Sequence, residues 1–452
     1  LKHKIYNQDV IEWAKEYNKN KFHALLCDPP YHLTSITKRF GKNNSTPAKY
    51  GNDGAFQRAS KGFMGETWDG GDIAFQSETW EILGNHLYPG AFGVAFSAAR
   101  NWHRMAIAIE DAGFIIHPTI FLWAFGSGFP KATNINKQID KQAGVDLKKY
   151  APITDLAKAW QGHRYGLQAL KPAVEPIIIF QKPYEDRPLD NIIETGAGAL
   201  NIDGTRIPLA GEDDEYVINT FDDGAKPFGN GAGHKYSSRK IKVPYANPEN
   251  RNGVVGKNLG ISNADKEKFN KAQEESIERL ETMGRWPANF MLNEELADTF
   301  NNQTGIDVSK FFYNVDYNIN QSDPVFYCAK VSNKERNAGL EELEDTISGM
   351  SNGAQIHGEG YDKGQDIGLN RVIARKNPHP TLKPIALTQW LATLLLPPED
   401  YAPRKLLVPF SGAGSEMIGA MLAGWDMILG IEGEKKYIDI AEKRIEFYKG
   451  LS

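Results

Sequence analysis

Asp28-Pro29-Pro30-Tyr31 is the stretch of this chain best equipped for chemistry. It follows Phe22-His23-Ala24-Leu25-Leu26-Cys27, an apolar run that reads as a buried strand. In an open α/β sheet, ligands sit at the carboxyl ends of the strands. An aspartate there accepts a hydrogen bond from an amino group. Prolines lack a backbone N–H and leave carbonyl oxygens as acceptors. A tyrosine ring stacks on another flat ring. Together these capacities suit an exocyclic amine on a planar heterocycle such as adenine or cytosine. The plainer reading is a Pro-Pro turn followed by an incidental tyrosine.

A second motif lies near the other end. Lys405 to Phe410 is strand-like, Ser411-Gly412-Ala413-Gly414 makes a tight turn, and Met417, Ile418, Met421 and Leu422 recur at helical spacing before Gly424. Met427 to Ile431 is a further strand, ending on Glu432. Strand, glycine turn, helix, strand and acid is the order that binds a nucleoside. Glycines admit the backbone to the ligand, and the acid accepts ribose hydroxyls. The alternative is a glycine turn that serves only helix–strand packing.

With these two motifs in this order, the chain resembles the S-adenosylmethionine-dependent amino-methyltransferases of DNA. The likeness is to the circularly permuted (beta) class, DPPY type, in which the catalytic tetrapeptide precedes the cofactor glycine motif. Further segments carry the resemblance: Gly65-Glu66-Thr67-Trp68-Asp69-Gly70, Trp102-His103-Arg104 with Glu110-Asp111-Ala112-Gly113, and Gly126-Ser127-Gly128-Phe129-Pro130-Lys131. Leu170-Lys171-Pro172 with Glu175-Pro176, Phe326-Tyr327-Cys328-Ala329-Lys330 and His379-Pro380-Thr381-Leu382-Lys383-Pro384 complete the set.

The resemblance implies a Rossmann-like α/β methyltransferase sheet and methyl transfer from S-adenosylmethionine to N6 of an adenine flipped out of duplex DNA. N4 of cytosine is the alternative, and a catalytically silent DNA-binding relative is a rival of another class. It implies that Asp28, Pro29, Pro30 and Tyr31 are catalytic, with Asp28 and the Pro29 carbonyl accepting the amine hydrogens and Tyr31 stacking on the base. For the cofactor it implies Phe410, Gly412 and Gly414 on the methionine and ribose side, Glu432 on the ribose, and Thr381 and Lys383 near the methionine carboxylate. Asp9 follows a short strand; it either meets the adenine amino group or caps the helix that begins at Val10. One position departs from the pattern: many relatives carry an acid before the Pro-Phe of the glycine motif, and here it is Val408. No metal is implied. A homodimer and a cognate restriction nuclease stay open as partners.

Composition bounds these readings. The 452 residues are too many for one core and ample for a catalytic domain plus another. At 41% hydrophobic and 24% charged residues the composition is that of a globular protein. With no long apolar run and no signal pattern, a cytoplasmic protein without membrane contact is expected. The two cysteines, Cys27 and Cys328, exclude a cysteine zinc cluster and argue against a disulfide framework. The net charge of −5 gives nucleic-acid binding no help, so local patches must supply it.

Residues 1–184 read as the first half of the catalytic sheet and residues 331–452 as the second. The expected elements include a helix from Val10, strands at 91–97, Phe114 to Phe125 and Val174 to Gln181, and a last helix with Tyr437, Ala441, Ile445 and Tyr448 on one face. Residues 185–330, rich in Asn, Asp, Gly and Lys with little periodicity, are assigned to an inserted target-recognition region. Within it, Lys235, Arg239, Lys240 and Lys242 form a basic run beside Tyr236, suited to phosphates and bases or simply to solvent. The loop after the tetrapeptide, about residues 32–62, carries Lys38, Arg39 and further cations, and reads as a lid that meets the DNA backbone or as a plain flexible surface loop.

Overall fold

The computed structural model describes residues 2–31, 72–125, 130–145, 151–207, 215–221, 236–242, 282–292, 301–303, 313–314, 331, 333–344, 346–348, 373–379 and 381–451. Contacts divide the chain into two units: residues 1–200, 289–299 and 314–452 make the first, and residues 201–288 and 300–313 the second.

The first unit is organised by one sheet to which both ends of the chain contribute. Its strands are β1 (Lys2–Asn7), β2 (Phe22–Cys27), β3 (Leu87–Phe96), β4 (Phe121–Ala124), β5 (Val174–Gln181), β6 (Phe290–Leu292), β7 (Lys405–Pro409) and β8 (Met427–Glu432). Their spatial order is β1-β8-β7-β2-β3-β5-β4-β6. Every adjacent pair is parallel except those made by β5, which runs against both β3 and β4. The late strands β7 and β8 therefore lie between the early strands β1 and β2. Lys2 pairs with Met427, and Leu406 with Ala24. The expectation of one α/β sheet completed from both ends holds. Burial explains why β2 reads as a continuous apolar run: all six of its residues are buried, as a strand covered on both faces must be.

Helix α1 (Val10–Glu16) buries Val10, Trp13 and Ala14. It shares a core with α2 (Ser77–Gly84) and α3 (Trp102–Asp111), through Trp80, Leu83, Met105 and Ile109, against alternate strand residues Leu25, Cys27, Leu407 and Ile431. The carboxyl-terminal part supplies α5 (Ile385–Leu394), α6 (Ser415–Ala423) and α7 (Lys435–Lys449), while α4 (Pro188–Thr195) follows β5. Helices α5 and α6 meet at Gly419, where a Cβ would lie 2.3 Å from Thr388 Oγ1 and 2.6 Å from the Gln389 nitrogen. Among the described residues no helix is long and apolar enough to cross a membrane.

Two elements differ from expectation. Phe114 to Phe125 is not one strand: Ile115–Ile116 pairs with β5, and β4 starts only at Phe121. Pro118 lies between them and has no N–H for a ladder. Strand β3 starts at Leu87, before the expected residue 91, because Pro89-Gly90, with Gly90 at φ +76°, is built into it.

The second unit contains an antiparallel pair, Glu215–Phe221 with Tyr236–Lys242, in which Lys242 faces Glu215 and Arg239 faces Ile218. In the same unit, Ile207 and Arg285 form a bridge, and Arg206 donates to Asp203 at 2.7 Å with its guanidinium 5.2 Å from the Trp286 ring.

Candidate active site

Four neighbouring parallel strands end at one place. After β1 comes Asp9, after β2 comes Asp28, after β7 comes Phe410, and β8 closes on Glu432. These residues line a cavity of about 230 Å³. Thr381, Leu382 and Lys383, just before α5, line it as well, as do Ser415 and Glu416 at the start of α6. The tetrapeptide and the glycine turn, far apart in sequence, thus face one cleft.

On the tetrapeptide side, Lys383 gathers the polar groups. Its Nζ lies 2.9 Å from Asp28 Oδ2 and 2.9 Å from Glu175 Oε1, and it donates to the Tyr31 hydroxyl at 2.9 Å. The Tyr31 hydroxyl donates in turn to Glu175 Oε1 at 2.5 Å. The ammonium also sits 5.0 Å from the Phe96 ring centroid. Burial opposes the charge on Lys383, yet the carboxylates of Asp28 and Glu175 hold it protonated well above the usual lysine range. Burial pushes the Asp28 carboxyl up; Lys383 pulls it back, and the charge of Glu175 adds to the rise. With the proton held on Lys383, the pair is ionic. Asp28 Oδ1 is buried and has no hydrogen-bond partner among the described residues. A buried carboxylate oxygen without a donor, on a residue that lines the cleft, is an acceptor waiting for one.

On the other side the backbone is drawn tight. Phe410, Gly412 and Gly414 all have positive φ, at +59°, +48° and +80°. The left-handed region is costly for a phenylalanine and free for glycine. A Cβ on Gly412 would lie 2.8 Å from His379 Nε2. Glu432 holds this turn: its Oε2 accepts from the Gly412 N–H at 2.9 Å and its Oε1 from the Glu434 N–H at 2.8 Å. Burial raises the Glu432 carboxyl above its ordinary range, and these N–H groups pull it down. Beneath the turn, fully buried Arg444 of α7 donates to the Ala413 carbonyl at 2.5 Å. His379 packs edge-on to Tyr437 at 4.5 Å, and burial with the neighbouring cations lowers its pKa to about 3, so the imidazole is neutral.

Glu416 is a third buried acid, in the first turn of α6. Burial, and then the charge of Asp28, raise its pKa to about 7. Among the described residues no cation pairs with it. Sequence reasoning passed over Glu416, Glu175 as a polar contact, and Arg444. The signal for Glu416 is an acid inside an otherwise apolar helix. No local signal exists for Arg444, whose surroundings are tertiary.

Among the candidate residues, Asp28, Pro29, Pro30, Tyr31, Asp9, Phe410, Gly412, Glu432, Thr381 and Lys383 line the one cleft. Gly414 is set back as the N-cap of α6. The Asp9 carboxylate caps α1, accepting from the Ile11 and Glu12 N–H groups at 2.8 and 3.2 Å. Lys383 spends its charge on Asp28 and Glu175, a partner choice that spacing alone does not reveal. Val408 is buried in β7. Arg239, Lys240 and Lys242 lie on the second strand of the hairpin in the other unit. Lys38, Arg39 and Lys235 lie outside the described residues.

An open, mostly parallel α/β sheet with a ligand cleft at its carboxyl edge is the class that fold and site define. In sequence the chain is similar to the type II methyltransferase M.HindIII of Haemophilus influenzae, 27% identical over 212 residues, or 44% of this chain and 64% of that protein. The chain thus spans less than two thirds of that relative's length. No family model matches. Solved structures that align along the chain include the complex of M1.HpyAVI with SAM, at 12% identity, 98% of this chain, 100% of that one and a TM-score of 0.34. PvuII DNA methyltransferase, described as cytosine-N4-specific, aligns at 11% identity over 99% of this chain and 91% of its own, with a TM-score of 0.38.

Proposed function

We propose that this protein is an S-adenosylmethionine-dependent DNA methyltransferase that modifies N6 of adenine. The observation that carries the reading is Asp28: a buried carboxylate with one unpartnered oxygen, in the same cleft as the glycine turn and Glu432. The similarity to a type II methyltransferase supports the reaction class. The Asp-Pro-Pro-Tyr form favours adenine by resemblance.

The residues fit the cofactor. Glu432 keeps acceptor capacity on both oxygens after its two backbone bonds, and Glu416, which forms no ion pair among the described residues, is suited to the ammonium for which Val408 offers nothing. When bound, S-adenosylmethionine supplies an activated methyl group on a sulfonium. Asp28 Oδ1 and the Pro29 carbonyl accept the two amine hydrogens, which localises the nitrogen lone pair otherwise shared with the ring. The Tyr31 ring stacks on a base rotated out of the helix, a contact of about 1–3 kcal/mol. Most of the acceleration is then positioning. Residues 185–330, apart from α4 and β6, which lie in the first unit with the central sheet, are assigned to target recognition and the flanking segments to catalysis, with Arg239, Lys240 and Lys242, and Lys38, Arg39 and Lys235, as candidate phosphate contacts.

The test is incubation with tritiated cofactor and duplex DNA, followed by mass spectrometry of the nucleosides. N6-methyladenine is expected, and N4-methylcytosine would move the assignment to cytosine. Background incorporation alongside normal DNA binding would leave a silent DNA-binding protein. Labelling of RNA or free nucleoside in preference to duplex DNA would remove the DNA reading altogether.

A further inference from the structure

Within the reading just proposed, the contacts of Lys383 assign it a role that neither its motif nor the comparisons give. We infer that Lys383 is a positioning residue of the acceptor side: it holds Asp28 by Oδ2 and leaves the other carboxylate oxygen without a partner, available to the amine, while Glu175 and the Tyr31 hydroxyl hold the lysine in place.

The geometry is specific. An ammonium has three N–H donors, and here three acceptors surround it, each at 2.9 Å: Asp28 Oδ2, Glu175 Oε1 and the Tyr31 hydroxyl. One of the three is a hydrogen bond, to the Tyr31 hydroxyl, and the other two are close ion pairs, so the ammonium is surrounded by acceptors of the chain itself. The side chain is buried, 3% exposed, so the arrangement is not a loose surface pair. Four segments converge to make it: the turn after β2, β3 with Phe96, the start of β5 with Glu175, and the turn before α5. A carboxylate held by one oxygen cannot rotate freely. Among the described residues Oδ1 has no partner.

The same contacts govern charge. Asp28 faces one cation, Lys383, and two acids, Glu175 from β5 and Glu416 from α6, with the Tyr31 hydroxyl and the Cys27 thiol also close. Without Lys383, the carboxyl groups of Asp28, Glu175 and Glu416 would lie near one another with no ion-paired cation among the described residues, which favours a proton on Asp28. A protonated Asp28 can no longer accept two ways, and the amine loses its partner. Glu175 acts oppositely: its charge raises the Asp28 carboxyl, so its removal should lower it, even though the lysine loses an anchor.

The opposed signs make the test. Protein carrying aspartate labelled with ¹³C at the carboxyl carbon is titrated by NMR, with the Asp28 signal assigned through Asp28→Asn. Lys383→Met should raise the Asp28 midpoint by about 1–3 pH units, Lys383→Arg should restore most of it, and Glu175→Gln should lower it. In methyl transfer, Lys383→Met should move the acid limb of kcat upward. It should lose about tenfold for each pH unit the assay lies below the new midpoint, with calorimetric affinity for S-adenosylmethionine within about threefold. A cofactor affinity that falls while the Asp28 midpoint stays put would overturn the inference and make Lys383 a cofactor ligand. Midpoints that move the same way in Lys383→Met and Glu175→Gln would overturn it too. A wild-type protein inactive on duplex DNA would defeat the proposed reaction alone, because the NMR titration decides the lysine's role without turnover.

Discussion

Replacing Glu432 by alanine tests where the cofactor's ribose lies. Each oxygen of a carboxylate carries two acceptor sites. One site on Oε2 is taken by the Gly412 N–H at 2.9 Å and one on Oε1 by the Glu434 N–H at 2.8 Å. One site remains on each oxygen, a match for the two vicinal hydroxyls of a ribose. Hydrogen bonds to a charged group contribute about 1.5–3 kcal/mol each. Burial already disfavours this anion, so the lower part of the range applies, roughly 3–4 kcal/mol for the pair. Isothermal calorimetry with S-adenosylmethionine should therefore show Kd weakened by about 150- to 900-fold in Glu432→Ala. Glu432→Gln keeps one acceptor oxygen and should fall between. The 2′-deoxyribose analogue should bind the wild type less tightly than the parent, but lose little further in the alanine variant. An alanine variant that melts like the wild type yet binds the cofactor within about threefold would refute the placement.

Glu416 gives a pH signature. Its pKa is raised from 4.5 to about 7, so its contribution to stability is fully present below pH 4.5 and is lost as pH rises through about 7. Thermal melting of the cofactor-free protein should weaken over that window, by a few kcal/mol at most, and Glu416→Gln should flatten the trend. Gly419→Ala gains about 1 kcal/mol of helix propensity, but its Cβ would meet Thr388 Oγ1 at 2.3 Å and the Gln389 nitrogen at 2.6 Å. Separating α5 from α6 costs about 1–3 kcal/mol from overpacking, and strain on the buried contact of Thr388 Oγ1 with the Ser415 carbonyl adds to that. Urea denaturation should show net destabilisation; an unchanged midpoint would mean the helices yield. In steady-state assays, Tyr31→Phe should slow transfer by removing a hydroxyl that joins Lys383 and Glu175, and Tyr31→Ala should slow it more by also removing the ring. Equal rates in the two variants would eliminate stacking.

The strands that place the cleft were legible because their chemistry is local. Phe22 to Cys27 has no polar face to hide, and the turn from Phe410 to Gly414 is marked by glycines where positive φ is required. The last helix was readable from Tyr437, Ala441, Ile445 and Tyr448, all of them buried. What escaped was tertiary. Glu175 and Lys383 sit in different motifs, and nothing in either announces that one ammonium bridges two carboxylates. Strand β3 was read short because Pro89 and Gly90 are ordinarily turn residues. Asp9 illustrates a reading that stayed double: its carboxylate caps α1 and also lines the cleft.

The interleaving of β7 and β8 between β1 and β2 governs how such a chain can reach its fold. Strand β1 has β8 as its sheet neighbour, so Lys2 finds Met427 only after all the residues between them have been synthesised. Until then the edge of β2 that will receive β7 has no partner, and it belongs to a wholly apolar strand. Such a long-range closure raises contact order and slows folding. It also leaves a nascent intermediate with a sticky edge, the kind that chaperones shield. A rearranged gene in which the segment bearing β7 and β8 is translated first, ahead of β1, should fold faster from denaturant while keeping the same cleft.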